Sequence, residues 1–509
     1  MTLSNLFRNL NNLIKSNSLS QNFRKYSSKD SKKLLTTLSA HHTSAKEAID
    51  SLICSSTKEY DICLVFASRT YEPKDIEIIP QYLHSKLKPK FLGGCVVDKI
   101  YGNNNNNGHG ISLLLGNRKK NDTRFDGFSI NIEGSKRHQY KSNSVGRWKN
   151  LDDFKDKNGE FSNLFDIKKF QSISSVPNEF DLPEELNRLK NNNISPDLIL
   201  LASDSEPYQF LESLDHHFPT TKKIGIIGTS TPFLTGRPFS LFHNNSVLSR
   251  GIIGVAITDK SFKNQLQVDH PSLNAVGDPL RITSCRGNII LELDGTNPTR
   301  LLLNRLQSGD DKRILSKETE FYLGLYDHND KDNQLNESNL MINKISSGDP
   351  VRGNMAVDTT MDLKEGQFVK FFYRKKEFDA TLLKNQLEDD VEIKIAMSTL
   401  DRDNLDPIAI SNLLKNNNKN IFGAIGENGI IIGKGKNVNN GITWVCDIPY
   451  STALLSKYTN IPVLERNRKI IIDTDTLTQH LELVPNEIKM QTANCLHCPF
   501  DISPITGTN

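Results

Sequence analysis

Few side chains in this chain have the types and spacing for chemistry, and they fall in three short stretches. Cys95 lies in FLGGCVVDKIYG, residues 91–102. A cysteine nucleophile wants a histidine base close by. His84, His109, His216, His217, His243 and His270 are spread along the chain with no motif spacing to Cys95, and each is expected at the surface. Gly93 and Gly94 also lack the spacing and the following helix of a phosphate-binding loop. The second stretch is FGAIGENG, residues 422–429, where Glu427 is the lone acid among glycines and apolar residues. It could accept from an amine or hydroxyl of a ligand. Asn428-Gly429 is also a strong turn signal, and a solvent-facing hairpin turn is the preferred reading. The third stretch is CLHCPF, with Cys495, His497 and Cys498. A structural zinc ion takes four ligands, and no second Cys or His pair has the spacing to complete the set. Cys498-Pro499 is similar to the short Cys-Pro motifs that hold haem through an axial thiolate; the competing reading is a packed C-terminal turn. No catalytic residue is assigned, and the cofactor, if any, is unknown.

The elements that would position these residues follow a pattern that occurs twice. YDICLVFAS (60–68), a helical stretch, KFLGGCVVDKIYG and GISLLLG (110–116) form one run. PDLILLAS (196–203), a helical stretch, KKIGIIGTSTPFLTG and GIIGVAI (251–257) form the other. Aligning Gly94 with Gly228 also aligns Gly102 with Gly236, and a loop longer by seven residues brings Gly110 onto Gly251. This reads as a duplicated βαββ unit, 60–117 and 196–258. The first strand of each is an uninterrupted apolar run, as expected of a strand buried on both faces. Thr229 then stands where Cys95 does, so the unit does not require a thiol. A bend or a close backbone approach at the glycine is the first reading. A ligand pocket built from both copies by Gly94, Cys95, Gly228, Thr229 and Ser230, with Glu427 as an added candidate, is the second.

Outside the repeat, Ser44-Ala-Lys-Glu47 has the form of a capping box. Asp181 could cap a helix with Pro183 in its first turn, and Asn297-Pro298 starts another. Residues 265–450 alternate Asp-Gly and Glu-Gly turns with short apolar runs, as antiparallel strands do. The expected class is α+β: duplicated βαββ units forming mixed sheets flanked by helices, then a largely antiparallel second domain.

Composition narrows the function. The 509 residues carry 63 Lys and Arg against 60 Asp and Glu, a balance that gives no electrostatic footprint for nucleic acid. No apolar run approaches the roughly 18 residues of a membrane helix. Residues 1–26 hold Arg8, Lys15, Arg24 and Lys25 and no acid, which leaves 59 basic and 60 acidic groups in the rest. Leu3, Leu6, Phe7, Leu10, Leu13 and Ile14 make one apolar helical face there. Such a segment is expected to be a mitochondrial transit peptide cut near Tyr26-Ser27, with the matrix as destination. The competing reading is a basic N-terminus or a membrane-surface helix. Seven cysteines, Cys54, Cys63, Cys95, Cys285, Cys446, Cys495 and Cys498, are odd in number and scattered, as in a reducing compartment.

Taken together, DICLVFAS, FLGGCVVDKIYG, IGIIGTSTPF and GRPFSLFHNNSVLSRGIIGVAI resemble the N-terminal part of the FIST family, the F-box and intracellular signal transduction domains. NIILELDG, SSGDPVRGNM, LKEGQFVKFF and FGAIGENG resemble its C-terminal part. The resemblance covers about residues 60–450. It implies a FIST N-terminal domain at 60–264 and a C-terminal domain at 265–450; with the leader at 1–26, this leaves a linker and helix at 27–59 and an extension at 451–509. It also implies a non-enzymatic module that senses a small-molecule ligand or binds a protein partner. No F-box precedes residue 60, so a ubiquitin-ligase role is not expected. Some bacterial relatives are haem-linked, which keeps a haem protein using Cys498 as an alternative, beside an enzyme using Cys95.

Overall fold

Apolar runs bounded by turn residues dictate strands that are buried on both faces, and they dominate this chain. The computed structural model describes residues 34–53, 59–101, 108–118, 123–131, 182–259, 264–308, 319–326, 340–351, 353–359, 363–374, 393–400, 421–435 and 443–457. Its first part runs β1 (Leu35–Ala40), α1 (Ala45–Leu52), β2 (Ile62–Ser68), α2 (Pro73–Leu87), β3 (Phe91–Val97), β4 (Lys99–Ile100), β5 (Ile111–Gly116) and β6 (Arg124–Asn131). Next come α3 (Glu184–Asn191), β7 (Leu198–Ser203), α4 (Tyr208–His217), β8 (Lys222–Ile227), α5 (Pro232–Thr235), β9 (Leu241–His243), β10 (Ser246–Leu248) and β11 (Gly251–Thr258). The remainder is β12 (Asn264–Asp269), β13 (Leu273–Arg286), β14 (Ile289–Leu293), α6 (Pro298–Ser308), β15 (Phe321–Leu325), β16 (Met341–Asp349), β17 (Asn354–Asp358), β18 (Phe368–Arg374), β19 (Ile393–Thr399), β20 (Ile421–Gly426), β21 (Ile430–Gly433), β22 (Thr443–Cys446) and β23 (Thr452–Lys457).

Local signals fix some of these ends. Asn297 accepts the Arg300 amide at 3.0 Å and caps α6. Asp294 and Gly295 both have positive φ, so the Asp-Gly turn between β14 and α6 forms as expected. Ser44 holds the N-cap of α1 but makes no side-chain capping bond, so only the position of the expected box is realised. Pro183 is the N-cap of α3 rather than a first-turn residue, and Asp181 lies outside the described residues.

Two six-stranded mixed sheets, ordered β1-β5-β2-β3-β9-β10 and β6-β11-β7-β8-β21-β22, have the same plan. In each, the first strand of the βαβ unit runs parallel to the second and antiparallel to the last: β2 with β3 and β5, β7 with β8 and β11. A third sheet, β12-β23-β19-β20-β4, repeats the arrangement, with β19 parallel to β20 and antiparallel to β23. Side chains alternate across each sheet with period two. Ile62, Leu64 and Phe66 of β2, Leu198, Leu200 and Ala202 of β7, and Ile395 and Met397 of β19 all enter one shared core. Phe66 stacks on Phe422 within it, with ring centroids 4.7 Å apart. The opposite faces pack on the helices, as with Val65 and Ala67 against Ile76, Ile79 and Leu83 of α2.

Strand pairing over residues 265–450 is largely antiparallel, with β19–β20 parallel, but it is divided between two structures. β13-β14-β17-β16-β15-β18 close a barrel over residues 273–374, with α6 against its core through Leu302 and Leu306. After the barrel, β19, β20 and β23 build the third sheet, while β21 and β22 complete the second. The segment that reads as one domain is thus a barrel followed by strands that return to the sheets of the first half. No helix among the described residues is long and apolar enough to cross a membrane.

Candidate functional site

Strand register brings three equivalent points of the chain together. Val65 faces Gly94, Leu201 faces Gly225, and Ala396 faces Gly423 across the three parallel strand pairs. A Cβ on these glycines would lie 1.8 Å from the Val65 oxygen, 2.5 Å from the Leu201 oxygen and 2.3 Å from the Ala396 oxygen. Each therefore has to be glycine, which realises the expected close backbone approach. The register also corrects the alignment of Gly94 with Gly228. Gly225 holds the place of Gly94, and Gly228 comes three residues later, just past the end of its strand. Gly94 does not end a strand either; β3 continues to Val97.

The first strands end alike. Ser68 Oγ accepts from the Gly110 amide (2.9 Å), Asp204 Oδ2 from Gly251 (2.8 Å), and Thr399 Oγ1 from Ser451 (2.9 Å). One residue past the corresponding points Val97, Gly228 and Gly426 stand Asp98, Thr229 and Glu427, and these three meet. Asp98 is 3% exposed, and its Oδ2 accepts from Thr229 Oγ1 at 2.9 Å and from the Glu427 amide at 2.8 Å. Arg69, one residue beyond β2, places its guanidinium 3.0 Å from Asp98 Oδ1 and 3.8 Å from Glu427 Oε1. The Thr229 amide donates to the Val96 oxygen at 2.9 Å, and Asn428 Nδ2 to the Gly228 oxygen at 2.8 Å. In open α/β sheets the C-terminal ends of parallel strands are where ligands bind. Here three such ends share one point.

Burial raises the Asp98 carboxyl above its ordinary value, against the opposing effect of Arg69 and the bonds from Glu427 and Thr229. Lys99 is pushed down, first by its own burial and also by Arg69. The outer rim is accessible: Arg69 is 44% and Glu427 29% exposed, and Ser230 is exposed. The arrangement offers one cation and one carboxylate at the surface, backed by a buried acid that fixes both. It has the means to bind polar groups and, in Arg69 and Glu427, an ion pair that an incoming group could displace.

Of the residues singled out in the sequence, Gly228, Thr229 and Glu427 sit at this junction, with Ser230 next to it. Cys95 lies beneath: a Cβ on Gly228 would be 3.5 Å from the Cys95 Cβ. Cys95 is wholly buried in the shared core, and burial pushes its thiol far up. A thiolate nucleophile has no support there. Gly94 is in the packed wall. Glu427 is not a simple solvent-facing turn residue, because its amide is held by Asp98. His270 is also not a surface residue: its Nε2 is buried, Nδ1 is 2.7 Å from Ser451 Oγ, and burial lowers its pKa to about 4. Cys495, His497 and Cys498 lie outside the described residues. Among the described residues no group of three or more His, Cys, Asp or Glu side chains could hold a metal. Sequence reasoning missed Asp98 and Arg69. The available signal was the acid at the end of FLGGCVV and the cation after ICLVFAS.

The glycine geometry makes a differential prediction. Gly94→Ala forces a Cβ into the Val65 carbonyl at φ +149°, and should cost about 3 kcal/mol or more by strain and overpacking. Gly228→Ala meets only ordinary contacts at 3.5 Å and should cost under about 1 kcal/mol. Urea unfolding of both variants checks this, and equal losses would contradict the register.

Residues 61–296 match the family model described as the FIST N domain. Over those residues the chain is similar to the FIST N domain, a domain associated with signal transduction. The match takes in the first two sheets' βαβ units and ends just past the first hairpin of the barrel. No curated protein matches the chain.

Proposed function

We propose that this is a non-enzymatic mitochondrial sensor, binding a small molecule or a partner's loop at the junction of Arg69, Asp98, Thr229 and Glu427. The observation that carries the reading is the convergence of three strand ends on one buried carboxylate beneath an exposed Arg–Glu pair. A ligand amine or hydroxyl can take the place of Arg69 at Glu427, and a ligand anion can draw Arg69 away from it. Either exchange alters contacts between β2, β3 and the β20–β21 turn, which belong to all three sheets. A binding event is thereby coupled to how the sheets are held together. The common plan of the sheets also supports an origin by duplication, with the junction as the shared inner end of the copies. Location in the matrix rests on the basic amphipathic segment at 1–26.

One experiment addresses location, processing and binding. The tagged protein is isolated from fractionated cells and weighed by native mass spectrometry. The expected product is mitochondrial, shorter by about 26 residues, and carries an added mass that denaturation removes. A full-length protein found elsewhere would overturn the location. A mitochondrial protein with neither added mass nor bound partner would overturn the sensor.

A further inference from the structure

A second cavity, lined by none of the junction residues, opens between β12 of the third sheet and the barrel. It has a volume of about 480 Å³, within the range of small-molecule sites. Leu273, Leu340, Ile342 and Phe372 make its apolar side, and Asp269, His270 and Lys434 face them. Lys434 follows β21, so the second sheet supplies the cation, while the third sheet and the barrel supply the walls.

The chemistry of the head group follows from what Lys434 lacks. Among the described residues its ammonium makes no hydrogen bond and no ion pair within 4 Å. Burial lowers its pKa to about 8 although Asp269 acts the other way. Asp269 does not complete the pair: its Oδ2 accepts from Gln267 at 3.0 Å, and burial raises its carboxyl above the ordinary value. His270 is held neutral by burial and by Lys434. Buried charges are normally paired. A partly buried ammonium in a cavity with one apolar side, and with no carboxylate of the described residues within 4 Å, is complemented by an anion that has an apolar tail.

We propose that this cavity binds a small monocarboxylate with an apolar chain, its carboxylate paired with the Lys434 ammonium and its chain against Leu273, Leu340, Ile342 and Phe372. The site does not depend on the junction. Bound there, the acid would tie β21 and the barrel together across the mouth of the cavity.

Three probes with one chain and different heads test it: hexanoate, hexanamide and hexylammonium, each titrated to about 10 mM, where weak fragment binding is still measurable. Line broadening of the probe's NMR signals gives the affinity, with the full chain as the protein. Hexanoate should bind about tenfold more tightly than hexanamide, the difference expected of a charge-assisted over a neutral hydrogen bond. Lys434→Met should remove that preference while leaving weak binding of the chain. Ile342→Trp should abolish binding of all three by filling the cavity; if that variant does not fold, Leu340→Phe serves the same purpose. Hexylammonium binding as well as hexanoate would make Asp269 the partner and overturn the proposal. So would a hexanoate preference that survives Lys434→Met, binding unaffected by the filling variants, or no binding of any probe.

Discussion

Asp98→Ala should lower the free energy of unfolding by about 3 kcal/mol. The carboxylate is 3% exposed, accepts hydrogen bonds from Thr229 and the Glu427 amide on Oδ2, and forms an ion pair with Arg69 through Oδ1. Removing it leaves the half-buried Glu427 amide and the Arg69 guanidinium without this acceptor, and breaking a buried pair from one side costs about 3–5 kcal/mol. Because Arg69 is 44% exposed and can turn to water, the lower end of that range applies. The structure makes a sharper demand in a double-mutant cycle. Asp98→Ala and Thr229→Val should couple by about 1 kcal/mol, since the second change removes a bond that the first has already broken. Chemical denaturation measures both. A loss below about 1 kcal/mol for Asp98→Ala would mean the three strand ends are held by packing alone.

The second large effect is with pH. In an unfolded chain His270 titrates near 6.5, and in the folded protein at about 4. Between those values the unfolded chain takes up the proton first, so stability is complete above about pH 6.5 and falls as pH drops toward 4. The two values convert to about 3 kcal/mol. Asp269 faces the same region with its carboxyl raised. It loses stability in the opposite direction, as pH rises from its unfolded value to its folded one, and so masks part of the trend. Comparison with His270→Asn, whose amide oxygen can take the Ser451 hydroxyl in place of Nδ1, isolates the histidine. Between pH 7 and pH 4 the difference in unfolding free energy between the two proteins should shrink or reverse by about 3 kcal/mol. Parallel pH profiles would contradict a buried neutral imidazole.

What could be read in the sequence was what is encoded locally. ICLVFAS and LILLAS announce β2 and β7 because a strand buried on both faces needs apolar residues at every position. Asn297-Pro298 announces α6 because capping acts over three residues. The Gly94 alignment missed by three because KKIGIIG offers both Gly225 and Gly228, and only the register opposite Leu201 tells them apart. The third sheet was hidden by chain order: β12 precedes the barrel, while β19, β20 and β23 follow it. Asp98 was passed over for a related reason. Its partners Thr229 and Glu427 are 131 and 329 residues away, and nothing near an isolated acid reveals a donor at that distance. Lys223 makes the same point. In KKIGII it reads as a surface charge, yet it is fully buried, 2.9 Å from Asp215 and donating to the Phe218 and Thr221 oxygens.

The central claim is that the convergence of strand ends is a binding site as well as a structural joint. It is tested most directly by the mass that travels with the protein when Thr229 is replaced. Thr229→Trp fills the space beside Asp98, whereas Asn105→Trp puts the same bulk in the asparagine-rich loop. Both are isolated alongside the unaltered protein and weighed by native mass spectrometry, with unfolding followed in parallel so that only folded protein is compared. The account predicts that the added mass persists in Asn105→Trp and is lost from folded Thr229→Trp. A folded Thr229→Trp that keeps the full added mass would contradict it.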